Sequence, residues 1–210
     1  MPADYRQMTA DLLAFYDFRA KTVLDVGGGG GQLIEFGRAA GRVLTLDIDP
    51  AALERLRESL STAGLGDKFE LILGDFFNID LEADVVLFEF SLHEMADPAA
   101  AVERARSMAP DVVVFDHWPG SPWAYLGAEE DKVASSWASL ERFQVKKARR
   151  YETVQAFGGY EPLHDRVKGQ GETSLARIGP YRGQRDIRIP MPYGLALIEG
   201  SKPRRPPRSS

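Results

Sequence analysis

Residues Val23 to Gly31 read Val-Leu-Asp-Val followed by five consecutive glycines, and Leu33, Ile34 and Phe36 then restore an apolar face. An apolar run ending in a turn and followed by amphipathic residues predicts a strand, a tight glycine bend and a helix. A chain leaving a buried strand there must reverse sharply. Bare peptide N–H groups in the bend can approach a ligand that a Cβ would hold off. A flexible linker is the other common use of a glycine run, but linkers are not bracketed by a buried-type strand and an amphipathic helix.

The spacing narrows the ligand. A dinucleotide fingerprint needs Gly or Ala at the last position of G-x-G-x-x-G. Starting that pattern at Gly27 puts Gln32 in the last place, and starting it at Gly28 puts Leu33 there. The pattern that fits is Asp25-x-Gly27-x-Gly29-x-Gly31, with Gly28 inside it, and it resembles the first motif of the class I S-adenosylmethionine-dependent methyltransferases. The resemblance implies S-adenosyl-L-methionine as the cofactor. It also implies an α/β fold: a Rossmann-like, doubly wound, mostly parallel sheet of about seven strands whose last strand is antiparallel.

Further strands continue the pattern. Arg42 to Pro50 is an apolar run ending in acids, and helix formers Ala51 to Leu60 follow. In open parallel sheets an acid about 20 residues beyond the glycine turn can accept both ribose hydroxyls. Asp47 is placed for that, Asp49 before Pro50 for a helix cap, and Ile48 for packing on adenine. The run from Phe69 ends in Gly74-Asp75-Phe76, which matches the family's adenine-edge motif. A carboxylate there can accept from the exocyclic amine while the apolar ring completes the pocket. Asp84 to Phe90 is a fourth strand, and the resemblance places Glu89 and Phe90 at the methionine end. The segment after it, Ser91-Leu92-His93-Glu94, resembles the Leu-His-His found in small-molecule members of the family, with Glu94 in place of the second His. Asp111 to Trp118 is a fifth strand without alternation, as expected of a strand buried on both faces.

Past Pro119 the strand–helix alternation stops. Val133, Trp137, Leu140 and Phe143 form one stripe of a helix over Gly127 to Phe143, and shorter helices are expected around Arg150 to Phe157, Pro162 to Lys168 and Glu172 to Arg177. Asp186–Pro190 and Tyr193–Glu199 read as a closing hairpin. A methyltransferase domain over 1–200, with a helical cap insertion at about 119–185 and a disordered basic tail at 201–210, follows. A helix over Gln7 to Phe18 either covers a sheet edge or folds over the cofactor.

The three histidines are His93, His117 and His164, and the first two follow strands at the proposed ligand edge. If the acceptor is a hydroxyl, a base must take its proton, and imidazole suits that near neutral pH. His93 and His117 are therefore the catalytic candidates, with Asp116 or Glu94 as partners. A metal held by His93, Glu94, Asp116 and His117 is the lesser alternative, and no metal is expected. Trp118, Trp123 and Tyr125 are the candidate acceptor pocket, which suits an apolar or aromatic small molecule; Trp137 reads as core.

A net charge of -5 argues against broad phosphate contact. Lys146, Lys147, Arg149 and Arg150 read as a solvated cluster after a helix, and Arg204, Arg205 and Arg208 as part of the tail. The absence of cysteine excludes disulfides, thiolate metal ligation and a cysteine nucleophile. With no apolar leader or bilayer-length segment, the expectation is a cytoplasmic monomer or homodimer acting on a small-molecule acceptor, without nucleic acid or membrane partners. A non-catalytic S-adenosylmethionine-binding protein and an NAD-dependent oxidoreductase are the competing readings.

Overall fold

The structure is a computed structural model that describes residues 3–203; the basic residues Arg204, Arg205 and Arg208 lie outside them. Five parallel strands form the centre: β1 (Thr22–Val26), β2 (Arg42–Asp47), β3 (Phe69–Leu73), β4 (Val85–Glu89) and β5 (Asp111–His117). Two more, β6 (Val145–Tyr151) and β9 (Tyr193–Glu199), complete a seven-stranded sheet in the order β3-β2-β1-β4-β5-β9-β6, with β9 antiparallel to both neighbours. Strands β7 (Val154–Gly159) and β8 (Arg185–Pro190) form a separate two-stranded sheet.

Alternate residues of the central strands feed two cores. Val23, Val43, Val85, Leu87, Val113 and Phe115 pack under α1 (Tyr5–Phe15), through Met8 and Leu12, and under the cap. Leu24, Leu46, Val86, Phe88, Val112 and Val114 face α3 (Pro98–Met108). Both faces are dry, which is why these strands read as continuous apolar runs rather than alternating ones. Helix α2 (Pro50–Ala63) is capped by the Asp49 carboxylate, which accepts from the Ala51 N–H at 2.8 Å, with Pro50 at the first position. Asp97 and Pro98 open α3 in the same way.

Several expectations change. The helix after the glycines is reduced to short 3₁₀ turns at Gly28–Gly30 and Ile34–Arg38. Little chain separates Gly31 from β2, and Gly37 must pass close to Phe69, where a Cβ would come within 2.3 Å of the ring. Lys146, Lys147, Arg149 and Arg150 lie in edge strand β6, not after a helix. Charges on an exposed edge discourage pairing with other chains, and they also mask the strand in the sequence. The helix expected around Arg150 to Phe157 is replaced by the end of β6 and by β7. The Asp186–Glu199 hairpin does not form, because β8 buries one face (Ile187, Ile189) in the cap while β9 is buried on both sides between β5 and β6.

The segment after β5 begins with α4 (Pro122–Leu126) and α5 (Glu130–Ser139), shorter than the helix expected to reach Phe143. It ends with α6 (Tyr160–Val167) and α7 (Glu172–Arg177), which lie between β7 and β8. Residues 119–185 are thus mixed α/β, and only the part from β7 onward stands off the main sheet.

Candidate active site

The strand order reverses between β1 and β4, and in open parallel sheets ligands bind at such a switch point, off the carboxyl ends of the strands. The chain ends of β1, β2, β3 and β4 line a cleft of about 500 Å³ there. Gly27 at the tip of β1 has φ +75, and a Cβ on it would lie 2.4 Å from Ser91 Cβ; Ser91 in turn donates to the Val26 carbonyl at 2.5 Å. A Cβ at Gly28 would fall 1.8 Å from the Asp25 carboxylate. Only glycine lets the bend fold this tightly over the acid. Phe90, just past β4, sits at φ 51, a strained conformation for an aromatic residue, and it lines the cleft.

Apolar surface is left open around this cleft. Ile48 is 73% exposed, and Phe77 is also exposed, although both line it. Asp47 lies on the same wall, its carboxylate accepting from the Gly29 N–H at 3.0 Å and the Asp49 N–H at 2.9 Å. Gly74, Asp75 and Phe76 form the far wall, and Asp75 accepts from the Phe77 N–H and the Asn78 amide.

Beneath the glycine bend two acids, Asp25 and Glu89, are buried with no cation paired to them among the described residues. Asp25 accepts from Thr45 Oγ1 through one oxygen, and its other oxygen has no partner among the described residues. Burial, with the Asp47 charge adding to it, pushes the Asp25 carboxyl up to about 7. Burial and the charge of Asp25 raise Glu89 well above the carboxylate range. Such a pair, next to backbone N–H groups and an apolar cleft, suits a ligand carrying an ammonium group, an adenine ring and a ribose. S-adenosylmethionine has all three, so the residues present fit it.

A second cavity, of about 180 Å³, lies against the first. Phe90 and Glu94 belong to both linings. The smaller one is polar: His93, His117, Gln32, Glu129 and, from the cap, Gln155 and Arg166 face it, and Tyr5 of α1 and Trp123 of α4 close it. Asp116, at the end of β5 and fully buried, accepts from the His93 N–H at 3.0 Å and the His117 N–H at 2.8 Å, and it holds His93 Nδ1 at 2.6 Å. Burial alone would lower His93, but Asp116, Glu129 and Glu94 outweigh it and push the imidazole up to about 11. The adjacent His117, with its ring 5.5 Å away, is lowered by burial to about 4, and its Nδ1 has no partner. One histidine is thus held charged and the other neutral, so a free ring nitrogen remains only on His117.

A methyltransferase-domain family matches residues 23–111. The mitomycin biosynthesis 6-O-methyltransferase of Streptomyces lavendulae is 42% identical over 88 residues, which cover 40% of this chain and 25% of that protein. The ribosomal protein L11 methyltransferase of Aeromonas hydrophila is 36% identical over 99 residues, 44% of this chain and 33% of its own. A SAM-dependent methyltransferase from Aquifex aeolicus superposes with a TM-score of 0.60 at 18% identity, over 93% of this chain and 89% of that one.

Residues 23–111 are thus similar to a methyltransferase-domain family, and the fold is that of the Aquifex aeolicus SAM-dependent methyltransferase. The chain spans about a quarter to a third of the length of the two curated methyltransferases. The match ends near the start of β5, so the family likeness covers the cleft and does not extend to β6 to β9 or the cap.

Of the residues expected to hold the cofactor, Gly27, Asp47, Ile48, Gly74, Asp75, Phe76 and Phe90 line the cleft; Asp25, Gly28, Gly29, Gly31 and Glu89 lie outside its lining, around the glycine bend and the strand ends. Phe77, Ser91, Met95 and Ala96 line the cleft without having been expected there. His93 and His117 meet on the small cavity. Of the three aromatic candidates for an acceptor pocket, only Trp123 reaches it. Trp118 packs on Trp137 at 4.7 Å, and Tyr125 is half exposed under Arg177. Gln155, Arg166 and Gln170 were missed because polar residues scattered through a cap carry no periodic signal. Among the described residues no helix is long and apolar enough to cross a membrane. A larger open groove of about 770 Å³ at the Gly158–Pro162 and Arg182–Arg185 turns lies away from the strand ends.

Proposed function

We propose that this chain transfers the methyl group of S-adenosylmethionine to a small polar acceptor held beneath the cap. The observation that carries the reading is the pair of adjoining cavities, one suited to an adenosyl amino acid and one polar, which share Phe90 and Glu94. The donor, when bound, supplies a methyl group on an already activated sulfonium, so the chief task left to the protein is to place the acceptor and keep water out.

The residues support that division of labour. The glycine bend and the buried Asp25 and Glu89 favour a cationic amino-acid end, Asp47 suits the ribose, and Ile48 with Phe76 and Phe77 suits the adenine face. His117 Nδ1, unpaired on the small cavity, can accept a hydrogen bond or a proton from an acceptor hydroxyl, while His93, anchored on Asp116, orients it. Tyr5, Arg166 and Gln170 close the cavity from α1 and the cap, so α1 serves both as cover for the sheet and as part of the lid.

A cavity of about 180 Å³ favours a small molecule over a folded protein as acceptor, and its polar lining favours a polar one over the apolar or aromatic acceptor that the tryptophans suggested. The mitomycin relative's name points to an oxygen acceptor on a small molecule, and the L11 relative's name to a protein. Calorimetry with S-adenosylhomocysteine, followed by a screen of small polar acceptors with a labelled methyl donor, separates the outcomes. Saturable binding and label transfer are expected. Absence of binding overturns the reading, and binding without transfer to any acceptor makes the chain a donor-binding protein instead.

A further inference from the structure

Three ligand-type atoms converge on the wall of the small cavity. His93 Nε2 lies 3.3 Å from Glu94 Oε1 and 3.7 Å from Glu129 Oε2, and the three groups can present their atoms within 4.8 Å of one another. These spacings are long for N–H···O hydrogen bonds, which cluster at about 2.7–3.2 Å. They match the separation of two ligands bound to one tetrahedral first-row cation: bond lengths of about 2.0–2.1 Å put neighbouring ligand atoms roughly 3.4 Å apart.

The other face of the imidazole is equally specific. His93 Nδ1 is held at 2.6 Å by Asp116, a fully buried carboxylate fixed further by the backbone N–H groups of His93 and His117. With Asp116 accepting from Nδ1–H, an ion that displaces the Nε2 proton would find that nitrogen's lone pair directed toward two carboxylate oxygens. This carboxylate–histidine relay is the arrangement that orients metal-binding imidazoles. A further observation, independent of the acids, is that His117, buried on the wall of the same cavity, has an Nδ1 with no partner among the described residues. His117 thus offers a further buried, unpartnered nitrogen on the wall of the same cavity.

We propose that His93, Glu94 and Glu129 bind a divalent first-row transition-metal cation on the wall of the small cavity. One imidazole and two carboxylates form a borderline donor set that suits Zn²⁺, Mn²⁺ or Fe²⁺ better than soft or all-oxygen cations. Three protein ligands leave the ion open, as in sites where a small molecule completes the shell, so an oxygen-bearing ligand in the cavity would bind beside the shared wall at Phe90 and Glu94. Lys132, which pairs with the other oxygen of Glu94 at 2.8 Å, leaves Oε1 free to ligate. The site rests on the cavity's own geometry and not on methyl transfer.

The test uses the full chain after chelation and dialysis, titrated with ZnCl₂ and MnCl₂ by calorimetry and with CoCl₂ by visible absorption. One equivalent is expected, with a Co²⁺ spectrum of a low-symmetry site. Glu129→Gln, at a partly exposed position that tolerates replacement, should weaken the ion at least tenfold, and Asp116→Asn by about 10- to 100-fold. Glu54→Gln, on the exposed face of α2, should change nothing. The proposal is overturned if none of the three ions gives saturable one-equivalent binding, or if Glu129→Gln and His93→Gln, folded by circular dichroism, bind like the parent. S-adenosylhomocysteine titrated into the same metal-free sample separates the two readings: donor binding without metal binding removes only the ion, and metal binding without donor binding removes only the transferase.

Discussion

The large cleft and the small cavity touch, yet they are built in opposite ways. Every residue lining the cleft comes from residues 26–96, at the ends of successive strands and the loops that follow, and much of the surface is apolar. The small cavity draws on Tyr5 near one end of the chain, Gln32 beyond the glycines, the two histidines, Trp123 and Glu129 after β5, and then Gln155 to Met191 in and after the cap. The topology of a parallel sheet fixes the first site, because all its strands deliver their carboxyl ends to one edge. The second exists only once α1 and the cap have docked. A fold can therefore keep the strand-end cleft while the second cavity changes, which matches a family likeness that stops near the start of β5.

The hardest test of that separation is Gly28→Val. The added side chain must displace the Asp25 carboxylate, 1.8 Å from where a Cβ would start, and overpacking of about 1–3 kcal/mol is enough to weaken S-adenosylhomocysteine by roughly 10- to 100-fold. Metal binding at His93 should survive; if both fail together while the chain remains folded, the two sites are not separable.

Asp25→Asn should act on stability as well as on the ligand. The folded carboxyl, pushed up to about 7, holds its proton more tightly than the unfolded one at 3.8. The free protein is therefore at full stability from this group below pH 4, and loses it progressively as pH rises from about 4 to 7. Thermal melts of the free protein should show Asp25→Asn gaining on the parent by on the order of 10 °C at pH 8, from roughly 2–4 °C per kcal/mol, and little at pH 4. The same substitution should weaken S-adenosylhomocysteine. An unchanged difference between the two pH values would show that burial of this acid carries no cost.

The smallest effect is expected at Tyr125, which was a candidate for the acceptor pocket and instead lies half exposed with the Arg177 guanidinium 4.0 Å above its ring. Tyr125→Ala should cost no more than the cation–π contact, about 0.5–1 kcal/mol in chemical denaturation, and leave turnover intact. A large loss of turnover would place the acceptor outside the small cavity.

What could be read from the residues follows the same division. The run Val23–Gly31, the acids Asp47 and Asp49 after β2, and Gly74-Asp75 after β3 are contiguous signals, each a strand and its own end, so local sequence was enough to place them at the strand ends, with Gly27, Asp47, Gly74 and Asp75 on the cleft itself. The helix that the pattern after the glycines predicts does not form, because the short run to β2 and the approach of Gly37 to Phe69 leave room for 3₁₀ turns instead. Strand β6 was hidden by its charges, since an edge strand with exposed Lys and Arg has neither the apolar run nor the alternation by which strands are recognised.

The chain's own order of apolar runs, acids and glycines determined the parallel half of the sheet and the edge at which the cleft opens. Tertiary structure alone decided that β9 slips between β5 and β6, that Asp116 holds His93 while His117 keeps a free nitrogen, and that Glu129 comes within 3.7 Å of a histidine 36 residues away. The physical reason is range. Backbone bends and strand burial are settled by neighbours in sequence, whereas a polar cavity is settled by which distant side chains are driven to satisfy one another when the last layers pack.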